Sequence, residues 1–566
     1  MSALAPRRWI LHLPALGLFL LFCVGTLLPL WMLAGRALAD GDGVFVGLAN
    51  FARYFRDPGL FQSLWNTVMV SGATAILATM SGFVYAWGIT RTAVPGRSAL
   101  RLLAMTPLFA PTLLYGIALI YLFGNQGLVT TGGFGHLPSF SLPVYGPAGI
   151  VLSEWIATFP ACVLLLSVGL ALSDRRLLEA ARSLGAGPWR IFATVTLPAM
   201  RWPIVSAFLA SFAGAFTDFG APKVLGGNFR VLSVEIYKQV AGLQNLPMGA
   251  AISLLLALPT LLVFLLGRKG RDAREVLDGG AVAAAPHRDV LTKVIFTGSC
   301  WGMAAAILAV DLTVVYASFV RTWPYDLSLC LRHYDFSEVA GFGAAPFATS
   351  LRMALFTAIF GGALAFVTAW ILERTRLVHP LQRLWQFLSL LPLALPGMVI
   401  GLAYVFFFNA PRLGTGIVSF PNPFHFLYGG MTVLVAATVW HFFPVALLSC
   451  GTALRRLDPA TEDAARTLGA PAWRTMLDVA LPLGLPALLE ASGYLFVNAM
   501  ITVSALVFLF SPELRPAALS VVDMEDAGDT AAAAAMGCLL LATNLAVLLL
   551  RELAVRLWAH RHRDRI

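Results

Sequence analysis

Apolar runs long enough to cross a bilayer recur along the whole chain, at roughly 9–35, 63–90, 102–123, 145–172, 203–222, 247–267, 294–320, 347–372, 385–409, 429–453, 484–510 and 529–550. Hydrocarbon offers no water to a peptide group, so each run must satisfy its own N–H and C=O groups, which a helix does. With 58% hydrophobic and 12% charged residues and a mean hydropathy of +0.79, the composition suits a bundle of membrane helices and no soluble domain. The sequence predicts an all-α integral membrane protein of about 12 transmembrane helices. Pro203, Asp218 and Pro222 interrupt the fifth run, and Lys223, Arg230 and Lys238 follow it. The first run could be a signal peptide, with Arg7 and Arg8 before it and Ala37-Leu38-Ala39 as a cleavage site. At about 25 residues it is roughly twice a signal core, and an uncleaved span is expected.

One segment occurs twice. Glu179 to Pro198 reads EAARSLGAGPWRIFATVTLP, and Asp463 to Pro482 reads DAARTLGAPAWRTMLDVALP. Both copies lie between the fourth and fifth runs of their half. The repeat extends outward: Asn66–Thr90 aligns with Ser350–Arg374 at the same offset, and Pro107, Pro111 and Gly116 align with Pro392, Pro396 and Gly401 one residue out of step. An even number of spans per half puts both copies in the same orientation, as two parallel six-helix repeats related by an axis along the membrane normal. The expected organisation is a first transmembrane domain over 1–267, a charged, Gly- and Ala-rich linker over 268–293, and a second transmembrane domain over 294–566.

The net charge of +10 does not imply a nucleic-acid partner, because the basic residues sit in short loops beside apolar runs. With the N-terminus inside, about 28 Lys and Arg fall on the cytoplasmic side and about 11 outside, so both termini and both repeated loops are expected in the cytoplasm. Five of the six cysteines fall in predicted spans and Cys330 alone outside them, which implies neither a disulfide framework nor a metal site.

The repeated loop reads as a docking element. Asp174 or Ser173 can cap a short helix through Leu184, and Gly185 is placed to end it in a left-handed turn; Asp458 and Gly469 hold the equivalent positions. Paired alanines, Ala180-Ala181 and Ala464-Ala465, let another surface approach closely, and Glu179 or Asp463 with the following Arg offers contacts at the rim. Pro188-Trp189-Arg190 starts a second short helix, and Leu197-Pro198, like Leu481-Pro482, is expected to turn the chain back into the membrane.

On these residues the chain resembles the membrane subunits of bacterial binding-protein-dependent ABC importers. Their loop pattern is Glu-Ala-Ala, three residues, Gly, nine residues, Ile or Val, one residue, Leu-Pro. It is matched by Glu179-Ala180-Ala181, Gly185, Val195 and Leu197-Pro198, and by Asp463-Ala464-Ala465, Gly469, Val479 and Leu481-Pro482, with Asp463 replacing Glu beside Glu462. The resemblance implies coupling helices seated in an ATPase subunit, two copies of that subunit, a periplasmic solute-binding protein, and a place in the bacterial inner membrane. This chain has no Gly-x-x-x-x-Gly-Lys-Ser/Thr loop and only four lysines, so ATP hydrolysis belongs to a separate protein and no cofactor or metal is expected here. Over nearly its whole length it resembles fused permeases for ferric iron, thiamine and 2-aminoethylphosphonate. Thr217 to Gly227, TDFGAPKVLGG, looks most like the phosphonate group, which makes that solute the first expectation and ferric iron, thiamine or a polyamine the alternatives.

Polar residues inside apolar runs are candidates for the translocation path. Asp218, with Phe219 and Lys223, marks the interrupted span. Glu154, Asp311 and Glu490 read as span-end or interhelical partners, and His441 as packing. Lys223, Arg230 and Lys238 could attract an anionic solute or dock its receptor. A different class, a proton-driven secondary transporter working through Asp218 or Glu490, lacks a Gly-x-x-x-Asp-Arg loop between spans two and three, where Arg91–Arg97 has no Asp. An integral membrane enzyme lacks clustered His, Cys or carboxylates in a soluble loop.

Overall fold

The computed structural model describes residues 9–135, 138–172, 174–275, 289–337, 343–374, 379–413 and 419–561. Among the described residues ten helices are long and apolar enough to cross a membrane, and two further pairs are bent by 105° and 111°, giving up to twelve spans. The first half holds α1 (Ala15–Ala37), α2 (Pro58–Arg91), the bent pair α3 (Arg97–Phe109 and Thr112–Phe123), α4 (Pro147–Ala171), the short α5 (Arg175–Ser183), α6 (Pro188–Thr217) and α7 (Leu246–Leu266). The second repeats the order with α8 (Val290–Phe319), α9 (Ala345–Arg374), the bent pair α10 (Pro380–Ala394 and Gly397–Phe408), α11 (Met431–Arg456), the short α12 (Pro459–Thr467), α13 (Ala472–Ile501) and α14 (Thr530–Arg561). Among the described residues strands form two small two-stranded sheets in the connections.

The third and ninth runs, expected as single spans, are sharply bent where Pro111 and Pro396 fall. Each proline removes an N–H and drives the residue before it out of helical geometry: Ala110 has φ −118° and ψ 150°, Leu395 φ −103° and ψ 123°. Each bend frees carbonyls that lipid cannot solvate, and the last span of the opposite half supplies the donor. Asn544 Nδ2 of α14 donates to Phe109 O at 2.9 Å, and Thr260 Oγ1 of α7 donates to Ala394 O at 2.8 Å.

First spans cross over as well. Tyr404 OH donates to Gly25 O at 2.9 Å and Trp440 Nε1 to Thr26 Oγ1 at 2.8 Å, seating α1 on α10 and α11, where Phe22 packs on Phe443. Conversely, Thr106 Oγ1 of α3 donates to Asp311 Oδ2 of α8 at 2.9 Å, so Asp311 is the interhelical partner expected. The halves therefore form one body.

Two further expectations change. The fifth and eleventh runs were expected to reach 222 and 510, but α6 and α13 stop at Thr217 and Ile501. The apolar residues beyond fold back as short segments, with Phe219, Val503 and Leu506 buried. The expected linker is helical at both edges, since the helices Leu246–Glu275 and Val290–Phe319 run into it; its centre, 276–288, lies outside the described residues.

Within each half the helices meet at small residues. A Cβ added at Gly82 of α2 would stand 2.9 Å from Cys162 Cβ on α4, whereas one at Gly72 would meet nothing within 4 Å. Gly82→Leu should destabilise the solubilised protein by about 1–3 kcal/mol through overpacking. Gly72→Ala should stabilise it by about 0.5–1 kcal/mol through helix propensity. Thermal unfolding followed by tryptophan fluorescence reads both, and equal shifts would contradict the packing described.

Candidate functional site

The repeated loops form matched corners at one end of the bundle. In the first, Asp174 Oδ1 accepts from Arg176 N at 2.9 Å and caps α5; in the second, Asp458 Oδ1 accepts from Ala460 N at 2.9 Å and caps α12. The alternative cap Ser173 lies outside the described residues. Gly185 and Gly469 have φ of +77° and +87°, the left-handed turns the sequence predicts. Behind them Ala186 N–H donates to Ala181 O and Ala470 N–H to Ala465 O, satisfying carbonyls at each helix end.

Ala180 and Ala464 are exposed, and Ala181 and Ala465 half-buried. The larger apolar surface is the corner itself, where Leu184 is 87% and Leu468 89% exposed, beside exposed Trp189 and Trp473. Isolated large apolar side chains on water are ordinary. Two matched knobs, each next to a rigid glycine turn, form a surface shaped to be covered.

The Leu-Pro pairs do not turn the chain. Leu197-Pro198 and Leu481-Pro482 lie within continuous helices, just past a wide turn in which Leu197 N–H reaches Phe192 O and Leu481 N–H reaches Met476 O, five residues back. That widening accommodates a proline ring and its missing N–H without breaking the helix. Each loop thus continues as a rigid arm into the membrane. On the first arm, Phe192 is held by Trp189, Phe83 and Trp87, with ring centroids 5.5–6.2 Å apart.

The acidic residues behave unequally. Glu462 is the buried anchor: its Oε1 lies 2.8 Å from Arg374 Nε, with side chains only 4% and 11% exposed, and Trp370 Nε1 reaches Oε2 at 3.4 Å. Arg374 also donates to Leu454 O at 2.8 Å and Leu457 O at 3.1 Å, closing the end of α11. In the first half Arg91 does the matching work, donating to Leu170 O at 2.7 Å, while Leu178 stands where Glu462 does. Asp463 and Glu179 stay exposed. Sequence reasoning missed Arg91, Arg374 and Glu462 because the two arginines align one residue out of step; the Glu462-Asp463 doublet was the visible signal.

A cavity of about 560 Å³ lies between the halves. Its wall includes Ser206, Thr217 and Asp218 from the α6 side, Thr260 from α7, Ala394 to Gly397 at the α10 bend, His441 of α11 and Ser504. Asp218 ends α6: its Oδ1 accepts from Thr112 Oγ1 at 2.8 Å and its Oδ2 from Ala221 N at 2.9 Å. Gly220 lets this corner close on the α3 bend, since a Cβ there would stand 3.0 Å from Leu113 N. Glu154, buried in α4, contacts Asp218 from behind. His441, expected as packing, is on the cavity wall with its ring 4.5 Å from Phe442 and no partner for Nδ1. Glu490 is exposed and lies outside the cavity wall.

The structure separates the other two path candidates from the cavity. Phe219 is buried against Tyr237 at 5.3 Å, and Lys223 Nζ lies 2.9 Å from Asp526 Oδ1 of the second half. Beside that pair burial pushes the Glu525 carboxyl up to about 7, with Asp526 adding to the rise and Lys223 opposing it. Arg230 and Lys238 are exposed. Among the described residues no group of three or more His, Cys, Asp or Glu is arranged to hold a metal ion.

The sequence profile of the binding-protein-dependent transport system inner membrane component matches residues 78–269 and again 361–559. The chain belongs to this family. The double match makes it a multi-pass permease with two copies of the membrane component fused, and hence a transport subunit. It is 27% identical over 528 residues to the ferric transport system permease protein FbpB of Actinobacillus pleuropneumoniae, covering 90% of this chain and 73% of that one. It is 26% identical over 505 residues to the probable ABC transporter permease protein y4fN of Sinorhizobium fredii, covering 87% of each. The sulfate transport system permease protein CysW of Escherichia coli is 29% identical over 222 residues, 38% of this permease and 75% of the relative. A crystal structure of a bacterial alginate ABC transporter in complex with alginate pentasaccharide-bound periplasmic protein aligns with a TM-score of 0.39 and 18% identity, over 49% of this permease and 97% of that chain.

Glu462→Ala should cost this permease about 3 kcal/mol, because it leaves Arg374 buried without its counter-charge. Asp463→Ala, at an exposed site, should cost far less. Comparing thermal unfolding of the two variants checks the assignment, and equal losses would refute it.

Proposed function

We propose that this permease forms the translocation pathway of an ATP-driven importer and moves a cationic solute, ferric iron foremost, from a periplasmic binding protein to the cytoplasm. In this reading both loops and both termini face the cytoplasm, and each loop seats one copy of a separate ATPase subunit. The observation that carries it is the pair of matched, exposed Leu-Gly-Ala corners, each fixed by a left-handed glycine and continued as an unbroken arm to the cavity between the halves. Closure of the ATPase dimer would move both corners together and thereby favour one access state of the bundle.

The cargo is argued from charge. The cavity wall carries one carboxylate, one imidazole and several hydroxyls, with no Lys or Arg among its lining residues. Such a wall attracts a positive ion and offers no cationic side chain to hold a phosphonate group. Lys223, which could have countered that, is already paired with Asp526. The ferric transport permeases among the relatives support the same cargo. 2-Aminoethylphosphonate, favoured by TDFGAPKVLGG, is the competing cargo in the test.

Uptake of labelled ferric iron and of labelled 2-aminoethylphosphonate is measured in cells lacking this gene and complemented with wild-type or variant protein. Wild type should restore iron uptake. Val at both Gly185 and Gly469 should abolish it without loss of membrane insertion, because a β-branched residue cannot hold the positive φ. Asp218→Ala should lower iron uptake at least about 10-fold, the equivalent of about 1.4 kcal/mol. Phosphonate uptake instead would overturn the cargo, and full activity of the double glycine variant would overturn the coupling role.

A further inference from the structure

At the end of the bundle remote from the repeated loops, side chains of the two halves meet. The two halves deliver the parts from different places. Lys223 follows the end of α6, an arm of 30 residues that starts at the first loop and spans about 45 Å. Asp526 stands just before Thr530, where α14 begins its return toward the loop end. The two side chains meet with Nζ 2.9 Å from Oδ1, at 19% and 48% exposure.

Beneath the pair lies an aromatic seam. Lys223 Nζ is 5.6 Å from the Tyr237 ring centroid, Tyr237 stacks on Phe508 of the second half at 6.3 Å, and Phe219 packs on Tyr237 at 5.3 Å. Phe219 follows Asp218, which lines the cavity, directly in the chain. Arg515 is engaged by Asp523 at 2.9 Å and lies over the Phe510 ring at 4.8 Å, and the carboxylates of Asp523 and Glu525 lie within electrostatic reach of Lys223.

We propose that Lys223 and Asp526 are the latch of a far-end gate whose seal is the Phe219–Tyr237–Phe508 seam. A half-exposed ion pair is weak and easily broken, which suits a contact that must open and re-form in each cycle. The apolar seam carries no directional bond between the halves, so the ion pair, beside the Tyr121 OH–Thr530 Oγ1 hydrogen bond at 2.8 Å, biases which state is favoured. Its part in transport rests on the importer reading; its existence as a closure of the two halves does not.

The test is therefore made on the full chain in lipid nanodiscs with no cargo, ATP or partner. Spin labels are placed at exposed Asn228 and Ala527, one per half, with Cys23 and Cys330 replaced by Ser, and the inter-label distance distribution is read by pulsed electron resonance. Lys223→Glu and Asp526→Lys should each shift the distribution to longer and broader separations, and the double reversal should return it to the wild-type distribution. Singly reversed proteins that leave the distribution unchanged, or a folded double reversal that stays broad, would overturn the latch. Where a single reversal fails to fold, as judged by size-exclusion elution, the neutral Lys223→Met and Asp526→Asn replace it with the same expected shift.

Discussion

The structure depends on peptide carbonyls that have no water to turn to. Where α3 and α10 bend, the helix ladder is interrupted inside the apolar layer, and each bend leaves acceptors whose burial without a partner would cost several kcal/mol. The donors come from the other half: Asn544 for the α3 bend and Thr260 for the α10 bend. A bend is thus stable only when both halves are present and in register. That requirement ties two duplicated bundles into one body and sets the cavity at the seam, since Thr260 and Ala394 both line it.

Duplication supplies the scaffold, and its breaches locate function. Asp218 ends α6 in extended geometry, and Thr502 ends α13 in the same way, at φ −70° and ψ 128°. The backbone break is therefore common to both halves, while the carboxylate is present only in the first. In the first half that carboxylate accepts hydrogen bonds from Thr112 Oγ1 and Ala221 N and lies on the cavity wall with Glu154 behind it. The same logic applies at the loops, where Glu462 anchors the second corner through Arg374 and Leu178 occupies the matching place in the first. The corners expose the same Leu and Gly but are held by different forces.

Much of this was legible because membrane physics leaves so few options. Twelve apolar runs, the duplicated loop, the glycine turns at Gly185 and Gly469 and the break at Asp218 all follow from local composition and spacing. The bends did not, although Pro111 and Pro396 were aligned, because a proline in an apolar run is compatible with a kinked span. Only the donors on distant helices decide for a sharp bend. The Leu-Pro pairs misled for a related reason. Proline next to a loop suggests a turn, but a turn widened by one residue absorbs it and preserves the helix. The cavity wall was least legible, since Asp218, His441 and Ser504 meet only through packing of both halves.

That preserved helix joins each loop rigidly to the membrane bundle. A turn at Leu197-Pro198 would isolate the corner as a flexible appendage, and motion imposed on it would dissipate in the hinge. An unbroken α6 makes Gly185 and Asp218 neighbours of the two ends of one rod, with Phe192 wedged among Trp189, Phe83 and Trp87 as its bearing. A small rotation about that bearing displaces the two ends in opposite senses. The end that moves away from the loop carries Asp218 on the cavity wall and, beyond it, Phe219 and Lys223. One displacement therefore reaches both the Asp218 carboxylate and the Lys223–Asp526 contact between the halves, without a separate signal to each.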